Sequence, residues 1–244
     1  MTSTPVLPDG WTLVAFDSVG STNDEATRLA EAGAPEGTFV WAQTQTGGRG
    51  RRGRRWASPV GNLYCSTVLR PQCPAPRAAE LGFVAALAVA DLVRDGRAVR
   101  VKWPNDVLVE GGKVAGILPE SSIAQDGRVE HVVLGIGLNV SFAPSLPEMR
   151  YPGAMLGGTV EAAIEGLTAG LAGWLSQWRR NGFETIRAGW LDRAGPLGAE
   201  VDVKLGEELV RGAFAGMDRE GALLLETPAG PRRIVSGELL GRAA

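Results

Sequence analysis

Apolar and polar positions along this chain follow two rhythms, and the change from one to the other falls near residue 195. The first rhythm alternates strands with helices. "TLVAFDSV" (12–19) reads as a strand, and "GSTNDEATRLAEAG" (20–33) as a turn followed by a helix. Thr22 and Glu25 fit the S/T-x-x-E capping box, in which two side chains satisfy free backbone N–H groups at the helix start. Ala26, Leu29 and Ala30 supply an apolar stripe, and Gly33 a stop. "TFVWAQT" (38–44) and "NLYCSTVL" (62–69) are strand-length apolar runs on either side of a polar loop. Residues 77–95 carry Leu81, Val84, Ala85, Ala88, Val89 and Leu92 at helical spacing, apolar enough to predict a buried helix. Val107–Val109 and Val114–Leu118 flank Gly111–Gly112, a two-residue hairpin signal. "VEHVVLGIGLNVSF" (129–142) reads as a buried strand ending in a glycine-punctuated turn. Residues 160–194 read as helix, with Trp174, Trp178 and Trp190 as packing anchors.

After Gly195–Pro196 the rhythm shortens. "EVDVKL", "ELVRGAFAGM", "ALLLETP" and "RRIVSGEL" are four strand-like runs at close spacing, the pattern of a small all-β barrel or sandwich. Two domains are therefore expected, 1–195 and 196–244. No internal repeat or low-complexity segment interrupts either.

Composition narrows the classes. With 244 residues and 44% hydrophobic content the chain can bury a real core. Cys65 lies in an apolar strand run and Cys73 among prolines, too sparse a pair for a disulfide framework. No apolar stretch is long enough to span a membrane, and the N-terminus lacks the basic start and apolar core of a signal peptide. A cytoplasmic protein is expected. Of 25 basic residues only Lys102, Lys113 and Lys204 are lysine; the rest are arginine. A lysine retained in such a chain hints at a task that suits a compact ammonium rather than a guanidinium fork.

Charge is concentrated in "QTGGRGRRGRRW" (45–56), with five arginines, four glycines and no acid. Two readings compete: a basic arm for nucleic-acid phosphates, or a glycine-hinged lid over one small anionic ligand. The formal net charge of −2 favours the lid, since proteins that live on nucleic acid usually show a basic domain or face. The other motifs are individually weak. "DSVGSTNDEA" (17–26) could be only a capped helix, "KWPND" (102–106) only a turn, "GGKVAGIL" (111–118) only a hairpin, and "LGIGLNV" (134–140) only a tight strand-to-loop turn. His131, the single histidine, sits in a strand run and reads as structural.

Together, and in this order, the motifs carry more. G-R-G-R-x-G-x-x-W at 48–56, followed by K-W-P-N-D and K-x-x-G-I-L, closely resembles the biotin protein ligases, over about residues 14–240. The resemblance implies an α+β fold: a mixed β-sheet backed by helices, of the class II synthetase-like biotin/lipoate ligase type, with a small C-terminal SH3-like β-barrel. It implies activation of biotin by ATP to biotinyl-5'-AMP, with Mg²⁺, and transfer to a lysine of a biotin carboxyl carrier protein or carboxylase domain. Many relatives carry an N-terminal helix-turn-helix domain. Here the first catalytic strand is reached by residue 13, so the single-function class is expected, with no DNA or membrane partner, as a monomer or weak homodimer.

The resemblance also implies roles. Lys113 would contact carboxylate and phosphate together, helped by Arg51. Asp106 could ligate magnesium or take a proton from the acceptor lysine. Biotin would lie among Ser21, Thr22, Asn23, Gln45, Gly48, Arg49, Gly50, Arg51, Trp56, Lys113, Gly116 and Gly135. ATP would meet Arg49, Arg51, Arg52, Arg54, Lys113, Asn139, Glu238 and Arg242. Some relatives stack adenine on a tryptophan after the G-x-N turn; this chain has none there, and Tyr151 or Met155 is the available cover. A lipoate or acyl ligase of the same fold is the nearest alternative. The polar cluster Ser21, Asn23 and Gln45 argues against it, because a plain acyl chain needs no such groups. A nucleic-acid-binding regulatory module is the more distant one.

Overall fold

The computed structural model describes residues 4–144 and 151–241. Seven strands form the main sheet: β1 (Thr12–Val19), β2 (Thr38–Gln45), β3 (Leu63–Leu69), β4 (Val99–Lys102), β5 (Asp106–Val109), β6 (Gly112–Ile123) and β7 (Val129–Leu138). Their order is β1-β2-β3-β7-β6-β5-β4. Only β1 and β2 run parallel, joined by helix α1 (Thr22–Glu31); the remaining pairs are antiparallel. The sheet is mixed and backed by helices, as expected.

Alternation of side chains across the strands divides the sheet into two faces. On one, Val40, Val68 and Val133 pack against Ala26 and Ala30 of α1. On the other, Phe39, Cys65, Val132 and Leu134 join a larger core. It is covered by α2 (Glu80–Ala90), α3 (Val160–Asn181) and α4 (Phe183–Arg193). Every residue of α2 is buried, because it lies between the sheet and the other two helices. The predicted helix 77–95 is shorter at both ends: residues 75–79 form a 3-10 turn ahead of α2, which stops at Ala90. Trp178 and Trp190 anchor the helical layer as expected, and Trp174 donates its indole N–H to Asp91 at 2.7 Å. No helix among the described residues is long and apolar enough to cross a membrane.

Residues 200–241 form a second, five-stranded antiparallel sheet: β8 (Glu200–Leu205), β9 (Glu208–Met217), β10 (Leu223–Thr227), β11 (Gly230–Ile234) and β12 (Glu238–Gly241), in the order β11-β10-β9-β8-β12. The small C-terminal β-domain is present as expected, as an antiparallel sheet that does not close on itself. The run 232–239 was read as one strand; it breaks across residues 235–237 into β11 and β12, which lie on opposite edges. This sheet docks on the helical layer. Trp103 donates its indole N–H to Gly221 O at 3.1 Å, and Arg187 Nε donates to Met217 O at 2.8 Å.

Two local expectations also change. Ser21, not Thr22, is the N-cap of α1, and it makes no side-chain cap. Thr22 has turned its backbone N–H and hydroxyl to Gln45 instead. In the β5–β6 hairpin the turn residues are Glu110 and Gly111, at φ 49° and 76°. Two successive positive φ angles are what a tight two-residue hairpin turn requires, so Gly112 already belongs to β6.

Candidate active site

The face of the sheet that carries α1 is only partly covered by it. Two positions along β3 from Val68 stands Ser66, and two and four positions along β7 from Val133 stand Gly135 and Gly137. Side-chain alternation puts all three on that same face, past the start of α1. A cavity of about 570 Å³ opens there. Its floor is bare backbone. A Cβ at Gly135 would lie 2.1 Å from Asn23 Oδ1, one at Gly137 2.4 Å from the Trp56 ring, and one at Gly116 of β6 2.9 Å from that ring. The glycines of "LGIGLNV" thus lie within β7, not in a turn after it. Glycine allows this close approach because it has no Cβ.

One end of the cavity is polar and neutral. Gln45 Oε1 accepts from Thr22 N at 2.8 Å and from the Thr22 hydroxyl at 3.2 Å, and Gln45 Nε2 donates to Ser58 Oγ at 3.1 Å. The Ser66 hydroxyl reaches Asn23 Oδ1 at 2.6 Å and Thr22 Oγ1 at 2.8 Å. Ser66 has one proton and Asn23 Oδ1 can only accept, so that proton is directed to Asn23. Asn23 Nδ2 in turn donates to Glu120 Oε2 at 2.6 Å. Ser21, Thr22 and Asn23 are each about 4% exposed, so this cluster is held rigid before any ligand arrives. Gly48 supports it from behind: a Cβ there would meet Ser58 Oγ and Trp56 O at 2.8 Å.

The other end is cationic. Lys113 Nζ lies 2.7 Å from Asp106 Oδ1, and Lys102 Nζ lies 3.3 Å from Asp106 Oδ2. Lys102 and Asp106 are cross-strand partners, which accounts for their contact. Lys113 needs a different explanation. It stands three residues from Gly116, and an odd separation along a regular strand puts side chains on opposite faces. The β5–β6 register slips here: Leu108 pairs with Lys113 but Val107 with Ala115, leaving Val114 extra. A bulge of this kind re-aims a side chain. Lys113 therefore shares the face of Gly116, whose Cβ position lies 3.4 Å from Lys113 Nζ. Its backbone is clamped as well. Lys113 N donates to Pro152 O at 2.8 Å, and Lys113 O accepts from Ala154 N at 2.9 Å and Asn139 Nδ2 at 3.1 Å. The ammonium sits 5.3 Å from the Trp56 ring centroid, and Lys102 Nζ 4.3 Å from that of Tyr151.

The arginine loop folds back on itself as a hairpin. Arg49 and Arg55 bridge, Gly50 N donates to Arg54 O at 2.7 Å, and Trp56 N donates to Gly48 O at 2.9 Å. Arg52 and Gly53 at its tip have φ of 58° and 71°. The arginines then diverge. Arg49 pairs with Asp24 at 2.8 Å and Glu120 at 3.1 Å, at the neutral end. The hydrogen bond to Asp24, with the Glu120 charge beside it, raises the Arg49 pKa above its ordinary value. Arg51 turns to Asn105 Oδ1 and Gly237 O, each 3.5 Å away, and burial together with Arg52 lowers its pKa. Arg54 pairs with Glu238 of β12, donating Nη1 to Oε1 at 2.7 Å. The loop thus bridges the two sheets.

Of the residues given catalytic, biotin or ATP roles from the sequence, all that fall among the described residues line this cavity except Gly48. Arg242 lies outside the described residues. Tyr151 lines the cavity, whereas Met155 is not among its lining residues and is 45% exposed. Several contributors were missed, Gly137 of the floor among them. Ser58, Ser66 and Glu120 carry no motif; Ser66 and Glu120 are found only through strand pairing, and Ser58 only through the fold of the loop before β3. Lys102 had a signal, its place among three lysines in an arginine-rich chain. Cys65 touches the cavity, but burial pushes its thiol well above the ordinary range, so it is no nucleophile. His131 is buried on β7, with its pKa lowered first by burial and then by Arg70, as suits a structural residue. Among the described residues no group of three His, Cys, Asp or Glu side chains could hold a metal ion. Both oxygens of Asp106 are already engaged by ammonium groups.

A mixed sheet with one slot, neutral and hydrogen-bonding at one end and cationic at the other, defines a pocket for a small molecule with a polar head and an anionic tail. Residues 15–139 match the Biotin/lipoate A/B protein ligase family, and residues 197–239 match the Biotin protein ligase C terminal domain. The chain belongs to the biotin/lipoate A/B protein ligase family, among its biotin protein ligases. It is 44% identical to the biotin–[acetyl-CoA-carboxylase] ligase of Paracoccus denitrificans, over 90% of this chain and 96% of the relative. It is 34% identical to the bifunctional ligase/repressor BirA of Bacillus subtilis (strain 168), over 94% of this chain and 74% of that protein. Among solved structures it is similar to a biotin protein ligase from Aquifex aeolicus in complex with biotin and ATP. That match has a TM-score of 0.77 and 28% identity, and covers 93% of this chain and 97% of that one.

Proposed function

We propose that the chain activates biotin with ATP to biotinyl-5'-AMP and passes the biotinyl group to one lysine of a carboxylase carrier domain. The observation that carries this reading is the single slot with two unlike ends. A ureido ring offers one carbonyl acceptor and two N–H donors. The neutral end offers hydroxyl and amide groups from Ser21, Thr22, Asn23 and Gln45, the last three already fixed by hydrogen bonds to protein. A plain acyl chain would leave unpaired the donors and acceptors that the cluster does not use on itself, which costs about 1–3 kcal/mol for each such group.

In the first step a biotin carboxylate oxygen attacks the α-phosphorus of ATP, and the bond to pyrophosphate breaks. Carboxylate and triphosphate repel each other, so charge has to be supplied where it develops. Lys113 does this with a clamped backbone and an ammonium held between Asp106 and the Trp56 ring. Arg51 and Lys102 add charge beside it, Arg52 and Arg54 face the departing pyrophosphate, and Asn139 holds the Lys113 carbonyl in place while bordering the nucleotide. Glu238 anchors Arg54, and Arg242 follows on the same segment. In the second step the acceptor amine attacks the acyl carbon, AMP leaves with the carboxyl oxygen, and the amine proton passes to Asp106. We assign Asp106 that role rather than metal binding, since both its oxygens face ammonium groups. Mg²⁺ would arrive on the triphosphate, whose oxygens are the hard ligands it prefers.

The arginine loop closes over the anhydride and keeps water from it. Residues 1–195 carry the chemistry, and 196–244 form the second domain, which holds the loop through residues 237 and 238. We place the reaction in the cytoplasm, where ATP, biotin and carboxylases meet. The test is biotin-dependent exchange of labelled pyrophosphate into ATP, with mass spectrometry of the protein after incubation with biotin and ATP. Bound biotinyl-adenylate is the expected species. Exchange no greater with biotin than with lipoate would sink the reading.

A further inference from the structure

Glu120 is the charged group at the neutral end to which no step above gives a task. Its Oε2 accepts from Asn23 Nδ2 at 2.6 Å and from Arg49 Nη2 at 3.1 Å, and its Oε1 accepts from the same Nη2 at 3.2 Å. One carboxylate thus touches both a buried residue of the ligand slot and the first arginine of the loop. The orientation of the Asn23 amide follows from chemistry. Glu120 can only accept, so Nδ2 faces it, and Oδ1 faces the Ser66 hydroxyl. Asn23 has no room to shift toward the sheet, because the space over Gly135 is too small for a single added carbon. Asp24, the other partner of Arg49, holds it from the solvent side and is 62% exposed, against 39% for Glu120.

We propose that Glu120 is a positioning residue that ties closure of the arginine loop to occupancy of the neutral end. A head group bound at Asn23 polarises the amide and strengthens its bond to Glu120, since linked hydrogen bonds reinforce one another. It also displaces water beside the Glu120–Arg49 pair, which strengthens that attraction in turn. The loop is then pinned at residue 49, two residues ahead of Arg51. Closure would follow recognition of the ring and not merely the presence of a negative charge. This rests on the biotin ligase reading and adds to it the residue that carries the signal.

Biotinamide, which has the ring but no carboxylate, is the probe. Trypsin cleavage within residues 49–55 is timed with and without it, in the wild type, Glu120→Gln and Asp24→Asn. Glutamine can still accept from Asn23 but offers Arg49 no charge. Biotinamide should slow cleavage of the wild type. Glu120→Gln should lose about tenfold of that protection, the scale of one charge-assisted hydrogen bond. Asp24→Asn should be cut faster in both states with the protection ratio kept. Glu120→Asp, which keeps the charge but is too short to reach both partners, should behave like Glu120→Gln, so a folding failure of either variant leaves the other. Melting curves confirm that the variants compared are folded. Full protection in the folded Glu120 variants, equal loss in Asp24→Asn, or no protection of the wild type would each overturn the coupling. Biotin-dependent pyrophosphate exchange by the wild type is measured alongside. Its absence would strike the ligase reading itself, whereas exchange without protection strikes only Glu120.

Discussion

At the neutral end of the pocket, Thr22 is tied to Gln45, and Ser66 to Asn23, by hydrogen bonds of 2.6–3.2 Å. At the other end Lys102, Lys113 and Arg51 crowd around a single carboxylate, Asp106, with Arg51 making only two long contacts of 3.5 Å. The first arrangement is closed: its groups are preorganised, and a ligand must match a pattern already set. Among the described residues the second holds more positive charge than its carboxylates, Asp106 and Glu238, neutralise, and an arriving anion meets the excess. Recognition therefore belongs to satisfied neutral groups, and rate to unsatisfied charge. A preorganised neutral cluster discriminates because a mismatched ligand leaves buried groups unpaired. A surplus of fixed cations accelerates because it meets charge that develops in the transition state.

Substitutions at the two ends should separate KM from kcat. Lys113→Arg should have the largest effect. It keeps the charge, yet the planar guanidinium cannot occupy the ammonium position between Asp106 and the Trp56 ring. A displacement of that kind, or loss of a donor aimed at transition-state charge, costs about 10²-fold or more. Exchange kinetics should show this in kcat, with biotin binding by calorimetry nearly intact. A variant of normal kcat would move the catalytic role to the loop arginines.

Gly135→Ala should do the opposite. Its Cβ would meet Asn23 Oδ1 and force that side chain from Ser66 and Glu120. Disrupting two or more buried hydrogen bonds should raise KM for biotin by roughly 10–100-fold. The kcat at saturating biotin should change far less. If instead kcat fell and KM held, the two ends would not be separable.

Lys102→Met removes one of the two ammonium groups on Asp106 at a buried position. We expect a loss in kcat on the order of tenfold, the scale of one charged hydrogen bond, with KM for biotin unchanged. An equal change in both constants would show that Lys102 acts through the fold. The smallest effect belongs to Arg54→Ala. Its partner Glu238 is largely covered, but Arg54 itself is 60% exposed, and exposed ion pairs contribute little. Exchange should slow by no more than about fivefold, an effect that should fade in high salt. A loss as large as that of Lys113→Arg would place Arg54 in direct contact with the reacting phosphates.

Much of this was legible along the chain. The arginine loop, K-W-P-N-D and the lysine after the Gly-Gly turn marked the pocket because glycine, proline and charge act locally. Helix and strand periods marked the strands of the main sheet, except β4, for the same reason. The errors are also local in origin. Thr22 looked like a cap because its spacing to Glu25 allowed it, but Gln45, twenty-three residues away, offers it a partner the helix does not. In the second sheet, four short runs do not reveal that the last one splits and sends β12 to the far edge.

The amino-acid sequence by itself determined which chemical groups this chain owns, the order of its elements and the glycine hinges of its loop, since each depends on neighbours a few residues apart. Tertiary structure alone decided which groups meet. Ser66 and Glu120 reach Asn23 through strand pairing across forty to a hundred residues. Lys113 faces the pocket only because one extra residue in β6 reverses the alternation that spacing would dictate. Register is set by the packing of the whole sheet, and shifting it by one residue turns a side chain to the other face.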